Sequence, residues 1–202
     1  ESGPAIPRDY GRETDLTPLE AEVSCEMEVS MPTFLLGFKC PPMSGGQEQM
    51  RRTLIGELAC DVLLGDSSPL YARLYSQGLI NGTFGYSFDT LPGVAYAYIG
   101  GDSKDPHAVA EEVLREARRL VKDGIDPDYY ARIVRANYGS TLKSLNSFES
   151  IAISLVEGQF DGYDPLLFPE MFDSITPQDL LAFIRENLCR EHMALSVVYP
   201  KE

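Results

Sequence analysis

Two pairs of period-two segments, each pair joined by a short Pro-bearing break, set the tightest limit on how this chain can fold. In the first pair, Val23, Cys25, Met27, Val29 and Met31 alternate with Ser24, Glu26, Glu28 and Ser30. After Pro32-Thr33, the residues Phe34, Leu36, Phe38 and Cys40 repeat the pattern up to Pro41-Pro42. The second pair, about 83–89 and 93–100, is aromatic-rich and connects through Pro92-Gly93. In it Val94, Tyr96 and Tyr98 alternate with Ala95, Ala97 and Ile99. Successive side chains of a strand project to opposite faces, so each segment predicts a half-buried strand. Strands joined by short turns pair antiparallel.

Between and after these pairs the period changes to that of a helix. Met50, Leu54, Leu58 and Val62 recur every fourth residue, predicting an amphipathic helix over about 47–64 with Glu48, Arg51 and Arg52 toward solvent. Shorter and longer helices are predicted over about 68–77, 106–123, 128–158 with an interruption near Ser144–Ser147, and 177–188. Asp105-Pro106, Asp126-Pro127 and Thr176-Pro177 share one start device, a capping oxygen followed by Pro at the first helical position. A last strand runs from Ala194 to Tyr199. The order β-β-α-α-β-β-α-α-α-β predicts an α+β two-layer sandwich, with a mainly antiparallel sheet covered on one face by helices. Residues 1–20, rich in Pro, Gly and charge, read as a linker or extended arm laid over the surface, and 21–202 as one domain.

Composition narrows the partners. The chain has 202 residues, 44% hydrophobic and 24% charged, with a formal net charge of −14. That balance suits a globular core and opposes binding to nucleic acid or an anionic membrane surface. No apolar run reaches the length of a membrane helix, about 20 residues. The opening Glu1-Ser2-Gly3-Pro4 has no basic or apolar leader and no initiator Met, so a fragment or processed chain without a signal peptide is expected. Cys25, Cys40, Cys60 and Cys189 each sit in an apolar pattern and are expected to be reduced core thiols of a cytoplasmic protein.

Catalytic chemistry is hard to build from these residues. The two histidines, His107 and His192, lack the partners of H-E-x-x-H or H-x-x-E-H and read as exposed helix-end residues. A zinc site needs three or four ligands, so neither a metal site nor a catalytic residue is assigned. Gly45-Gly46 reads as a lead-in to a helix cap, and Ser67-Ser68 has no base in any recognisable arrangement. The charges Glu111, Glu112, Arg115, Glu116 and Arg119 have the spacing of a solvated helix face.

Four stretches resemble half of a subunit of the insulinase/pitrilysin family of zinc metallopeptidases. They are FLLGFKCPP (34–42), GDSSPLYARLYSQGLINGTFGYSF (65–88), the helix pair over 126–166, and ITPQDLLAFIRENL (175–188). The family's first half carries H-x-x-E-H; this chain lacks it and so resembles the C-terminal, non-catalytic half, close to a diverged bacterial subgroup. The resemblance implies zinc in the missing N-terminal half, none in this chain, and a function as one wall of a peptide-hydrolysing chamber. It implies as partners that zinc-binding half, a peptide substrate and a homo- or hetero-dimer. The alternative it implies is a catalytically dead scaffold or assembly partner. The family's second half supplies an Arg and, seven residues later, a Tyr to the substrate backbone. Here Tyr75 stands where the Arg belongs and Asn81 where the Tyr belongs, with Arg73 one helical position off. Arg73, Tyr75 and Asn81 are therefore the substrate-binding residues the resemblance implies.

Overall fold

The computed structural model describes residues 9, 11, 14–43 and 45–201. Its elements run β1 (Glu22–Met27), β2 (Thr33–Cys40), α1 (Gly46–Leu64), α2 (Pro69–Ser76), β3 (Gly85–Leu91), β4 (Val94–Asp102), α3 (Pro106–Asp123), α4 (Pro127–Ser144), α5 (Phe148–Asp161), α6 (Phe168–Ser174), α7 (Pro177–Asn187) and β5 (Met193–Pro200). Short 3-10 turns precede α6 and β5, at Pro165–Leu167 and Arg190–His192.

The strands form one sheet in the order β1-β5-β2-β4-β3. β2 pairs antiparallel with β4 and with β5, and β3 pairs antiparallel with β4. Only β1, alongside β5, is parallel. The inward face carries Phe34, Leu36 and Phe38 of β2, Ala95, Ala97 and Ile99 of β4, and Leu195 and Val197 of β5, all buried. Packed against that face, α1 has its C-terminal half buried on every side, through Leu58, Ala59, Cys60, Val62, Leu63 and Leu64. Each such aliphatic side chain contributes about 1.5–3 kcal/mol by leaving water. Gly56 lets α1 approach the sheet: a Cβ there would stand 2.4 Å from the Phe88 ring of β3. The sandwich predicted by the hydrophobic periods is the architecture observed.

Cap chemistry fixes the helix starts. Asp105 Oδ1 accepts from Ala108 N–H at 2.9 Å and Asp126 Oδ1 from Tyr129 N–H at 2.8 Å. Thr176 and Asp179 close a reciprocal capping box at the start of α7. The 128–158 segment divides as its polar interruption predicts, and Ser147 caps α5 by accepting from Ser150 N–H.

Four expectations need correction. β1 stops at Met27 and does not pair with β2: β5 lies between them, β1 runs parallel to β5 at the outer edge, and all six of its residues are exposed. Cys25 is therefore exposed, while Cys40 and Cys60 are buried and Cys189 is intermediate. His192 is half-buried, with its Nδ1 buried, whereas His107 is exposed as expected. The charges of α3 are not uniformly solvated: Glu116 is 3% exposed. α6 gave no separate period in the sequence.

Candidate functional site

The substrate-contact residues implied by the resemblance lie on α2 and the loop that follows it. Ser68, buried itself, accepts from Tyr71 N–H at 3.0 Å and starts α2, with Pro69 at the first position. Leu70 and Leu74, four residues apart, are fully buried and set the rotation of the helix. The adjacent face carries Tyr71 and Tyr75, whose rings stack with centroids 5.9 Å apart; Tyr71 packs on the core and Tyr75 is exposed. Gly78, at φ 62, ends the helix and lets Leu79 N–H return to the Leu74 carbonyl at 3.0 Å.

That framework gives the three residues separate surroundings. The Arg73 guanidinium donates to Glu112 Oε2 at 3.3 Å and to Glu116 Oε2 at 3.1 Å on α3. Glu116 also accepts from Arg119 at 2.7 Å, and Glu112 pairs with Arg115 at 2.6 Å. Burial raises the Glu116 carboxyl, but hydrogen bonds from Arg119 and Arg73 outweigh it and hold the group below the ordinary carboxylate range. Tyr75 is 57% exposed. Asn81 Oδ1 accepts from Thr83 N–H at 2.8 Å and from the Thr83 hydroxyl at 2.7 Å, and that hydroxyl accepts from Asp102 N–H at 2.8 Å. Asn81 thereby ties the loop to the end of β4.

A second group of polar residues was not singled out in the sequence. On α1, Asp61 accepts from the Tyr86 hydroxyl at 2.9 Å and from Asn137 Nδ2 of α4 at 2.6 Å. One turn earlier, Glu57 lines the same cavity of about 230 Å³, with Cys60, Ser87 and Phe88. Desolvation, then the neighbouring Asp61 and Asp89, push the Glu57 carboxyl up to about 7. Burial and Asp61 push the Tyr86 phenol up as well. The available signal was two carboxylates four residues apart inside the otherwise apolar run LIGELACDVLL (54–64). Glu57 also lines a larger cleft of about 510 Å³ between α1, α4, α5 and α6.

The described residues offer no donor set that fits zinc. Among the described residues no three His, Cys, Asp or Glu side chains are disposed to hold a metal ion. His107, at the second position of α3, faces Glu22 and the Tyr199 hydroxyl, while His192 sits in the turn before β5. No helix among the described residues is long and apolar enough to cross a membrane.

Fold and site together define an α+β peptidase-like domain, and known proteins share its fold. An M16-like peptidase from Alicyclobacillus acidocaldarius superimposes with a TM-score of 0.90 at 23% identity, over 100% of this chain and 48% of that one. The inactive peptidase domain of a zinc protease from Bordetella parapertussis gives 0.71 at 15% identity, over 88% of this chain and 95% of that one. In sequence, the zinc protease YmfH of Bacillus subtilis (strain 168) is 31% identical over 208 aligned residues, covering 98% of this chain and 46% of that protein. Residues 1–137 match the peptidase M16 inactive domain. The chain belongs to that family. It spans about half the length of the curated relative it matches.

Proposed function

We propose that this chain forms the non-catalytic, substrate-chamber half of a zinc metalloendopeptidase and works only when paired with an N-terminal zinc-binding half. One observation carries the reading: the whole inactive-domain fold is present and matches about half of longer relatives, one of them named a zinc protease. In the assembled protein the first half supplies zinc and the hydrolytic chemistry. This half bounds the chamber and presents polar groups from α2 and its following loop, with Tyr75 toward the peptide and Arg73 and Asn81 shaping the surface beside it. Residues 1–20 serve as the connecting segment. Pairing into a homo- or hetero-dimer and a cytoplasmic location belong to the same reading; four free thiols, two of them in the core, suit a reducing compartment.

One observation favours the scaffold alternative. The Arg73 guanidinium is engaged by two carboxylates, so the contact usual for the family's Arg is not freely offered. Reconstitution of the chain with the zinc-bearing first half separates the two readings. The chamber reading expects peptide hydrolysis only when both halves are present, and a lower turnover for Tyr75→Ala. A stable complex with an intact zinc site and no hydrolysis of any peptide in a diverse library establishes the scaffold instead.

A further inference from the structure

Helix α5 is apolar over much of its surface and yet barely covered. Phe148 is 92% exposed and Phe160 84%, and Ile153 and Val156 are also exposed. Its side toward the body forms one wall of the 510 Å³ cleft, where Ile151 and Leu155 face Leu54 of α1 and Phe168 and Phe172 of α6. The rim of that cleft is acidic, with Glu57 from α1 and Glu157 and Asp161 from α5, and no Lys or Arg is among its described lining residues. All three carboxylates line this cleft together with Tyr163, whose phenol is raised by burial and then by Asp161, Glu157 and Glu57.

From this charge complementarity we infer that the cleft between α1 and α5 docks a cationic, apolar peptide segment, with aliphatic and aromatic side chains on its floor and carboxylates at its rim. The inference rests on the peptide-handling reading above and adds the chemical class of the peptide. The 14 residues of α5 span about 21 Å. That length accommodates one face of an amphipathic helix of about four turns, or about six extended residues. Lys or Arg side chains suit this geometry because their stems lie along apolar surface while the charged head reaches the rim. An acidic peptide meets uncompensated like charge, and the net charge of −14 steers cations toward the chain.

Glu57 supplies a readout beyond affinity. Its charged neighbours are Asp61 on its own helix and Asp89 of β3, while Glu157, Asp161 and Tyr163 line the same cleft from the α5 side. A bound cation favours the ionised carboxylate, so docking releases a proton and tightens as pH rises through about 7.

The chain is titrated against a fluorescent amphipathic Leu/Lys peptide and its Leu/Glu counterpart, with polarisation as the signal. The Leu/Lys peptide is expected to bind and the Leu/Glu peptide not to. Glu157→Gln with Asp161→Asn is expected to weaken binding by about tenfold, and Ser154→Arg, which places a cation in the lining, to weaken it as well. Glu57→Gln removes the tightening with pH, while Glu20→Gln with Glu26→Gln, exposed and outside the cleft, changes nothing. Equal binding of both peptides, or equal weakening by the two double variants, overturns the inference. So does displacement of the peptide by the zinc-bearing half without cleavage, which assigns the cleft to the junction between halves. A reconstituted enzyme that cleaves peptides although the titration shows no preference sinks only the cleft. Selective binding in a chain that never supports hydrolysis sinks only the peptidase reading.

Discussion

Glu116 is almost wholly withdrawn from water, yet its two carboxyl oxygens are shared between Arg119 on its own helix and Arg73 on α2. A buried carboxylate is tolerated only with such partners, and removing it leaves Arg73 with Glu112 alone. Glu116→Ala is therefore expected to lower stability by about 1–3 kcal/mol in urea unfolding, and Arg73→Ala by less because its side chain is 35% exposed. The sign with pH follows from the lowered carboxyl. Its stabilisation is complete above the unfolded value, about 4.3, and disappears as pH falls through the folded one. Wild type and Glu116→Gln should thus converge only as pH falls through the lowered value of the folded carboxyl. Equal stability of the two at neutral pH would refute the clamp. The sequence could not show this, because the α3 charges have ordinary i,i+3 and i,i+4 spacing and the partner that buries one of them lies 43 positions away.

At the scale of elements, local chemistry was legible and long-range packing was not. Asp105, Asp126 and Thr176 announced three helix starts because a cap acts within three residues of itself. β1 misled because alternation reports a strand but not what covers it, and its neighbour β5 arrives about 170 residues later. The crossing of α1 and β3 gives the sharpest test. A methyl group at Gly56 meets the Phe88 ring, which is itself wedged edge-on against Phe183 at 5.2 Å. Gly56→Ala should cost about 1–3 kcal/mol by overpacking, although Ala is the better helix former by about 1 kcal/mol. Adding Phe88→Leu should restore part of the loss. A single variant that unfolds later than wild type on heating would mean that α1 can step back from the sheet.

For the molecule as a whole, its four thiols grade the distance from solvent to core. Cys25 lies on the exposed edge strand and Cys189 is partly covered. The Cys40 thiol is pushed up to about 12, mainly by burial, and burial also raises Cys60. Native-state alkylation followed by mass spectrometry is expected to modify Cys25 first and Cys189 more slowly. Cys40 and Cys60 should react only as the whole domain opens, at a rate that rises together with urea. Fast modification of Cys60 under native conditions would show that α1 detaches separately from the sheet. Read whole, the sandwich was legible because hydrophobic periods are local. The cleft was not, since Glu57, Glu157 and Asp161 come together only through the way α1 and α5 fold against each other.

The strand order carries a consequence for biosynthesis. β5 follows every other strand in the chain, yet it sits in the sheet's interior, hydrogen-bonded to β1 on one side and β2 on the other. As the polypeptide leaves the ribosome, β2, β3 and β4 can assemble before β5 exists, since β3 and β4 form a hairpin that pairs with the already emerged β2. During that time β2 presents an unpaired backbone edge and β1 has no partner at all, a condition that invites pairing with other chains. Only when residues 193–200 emerge does β5 insert, close the gap and capture β1. The seam therefore stays open from the emergence of β2 until that of β5, and a ribosome stalled before Met193 would leave it permanent.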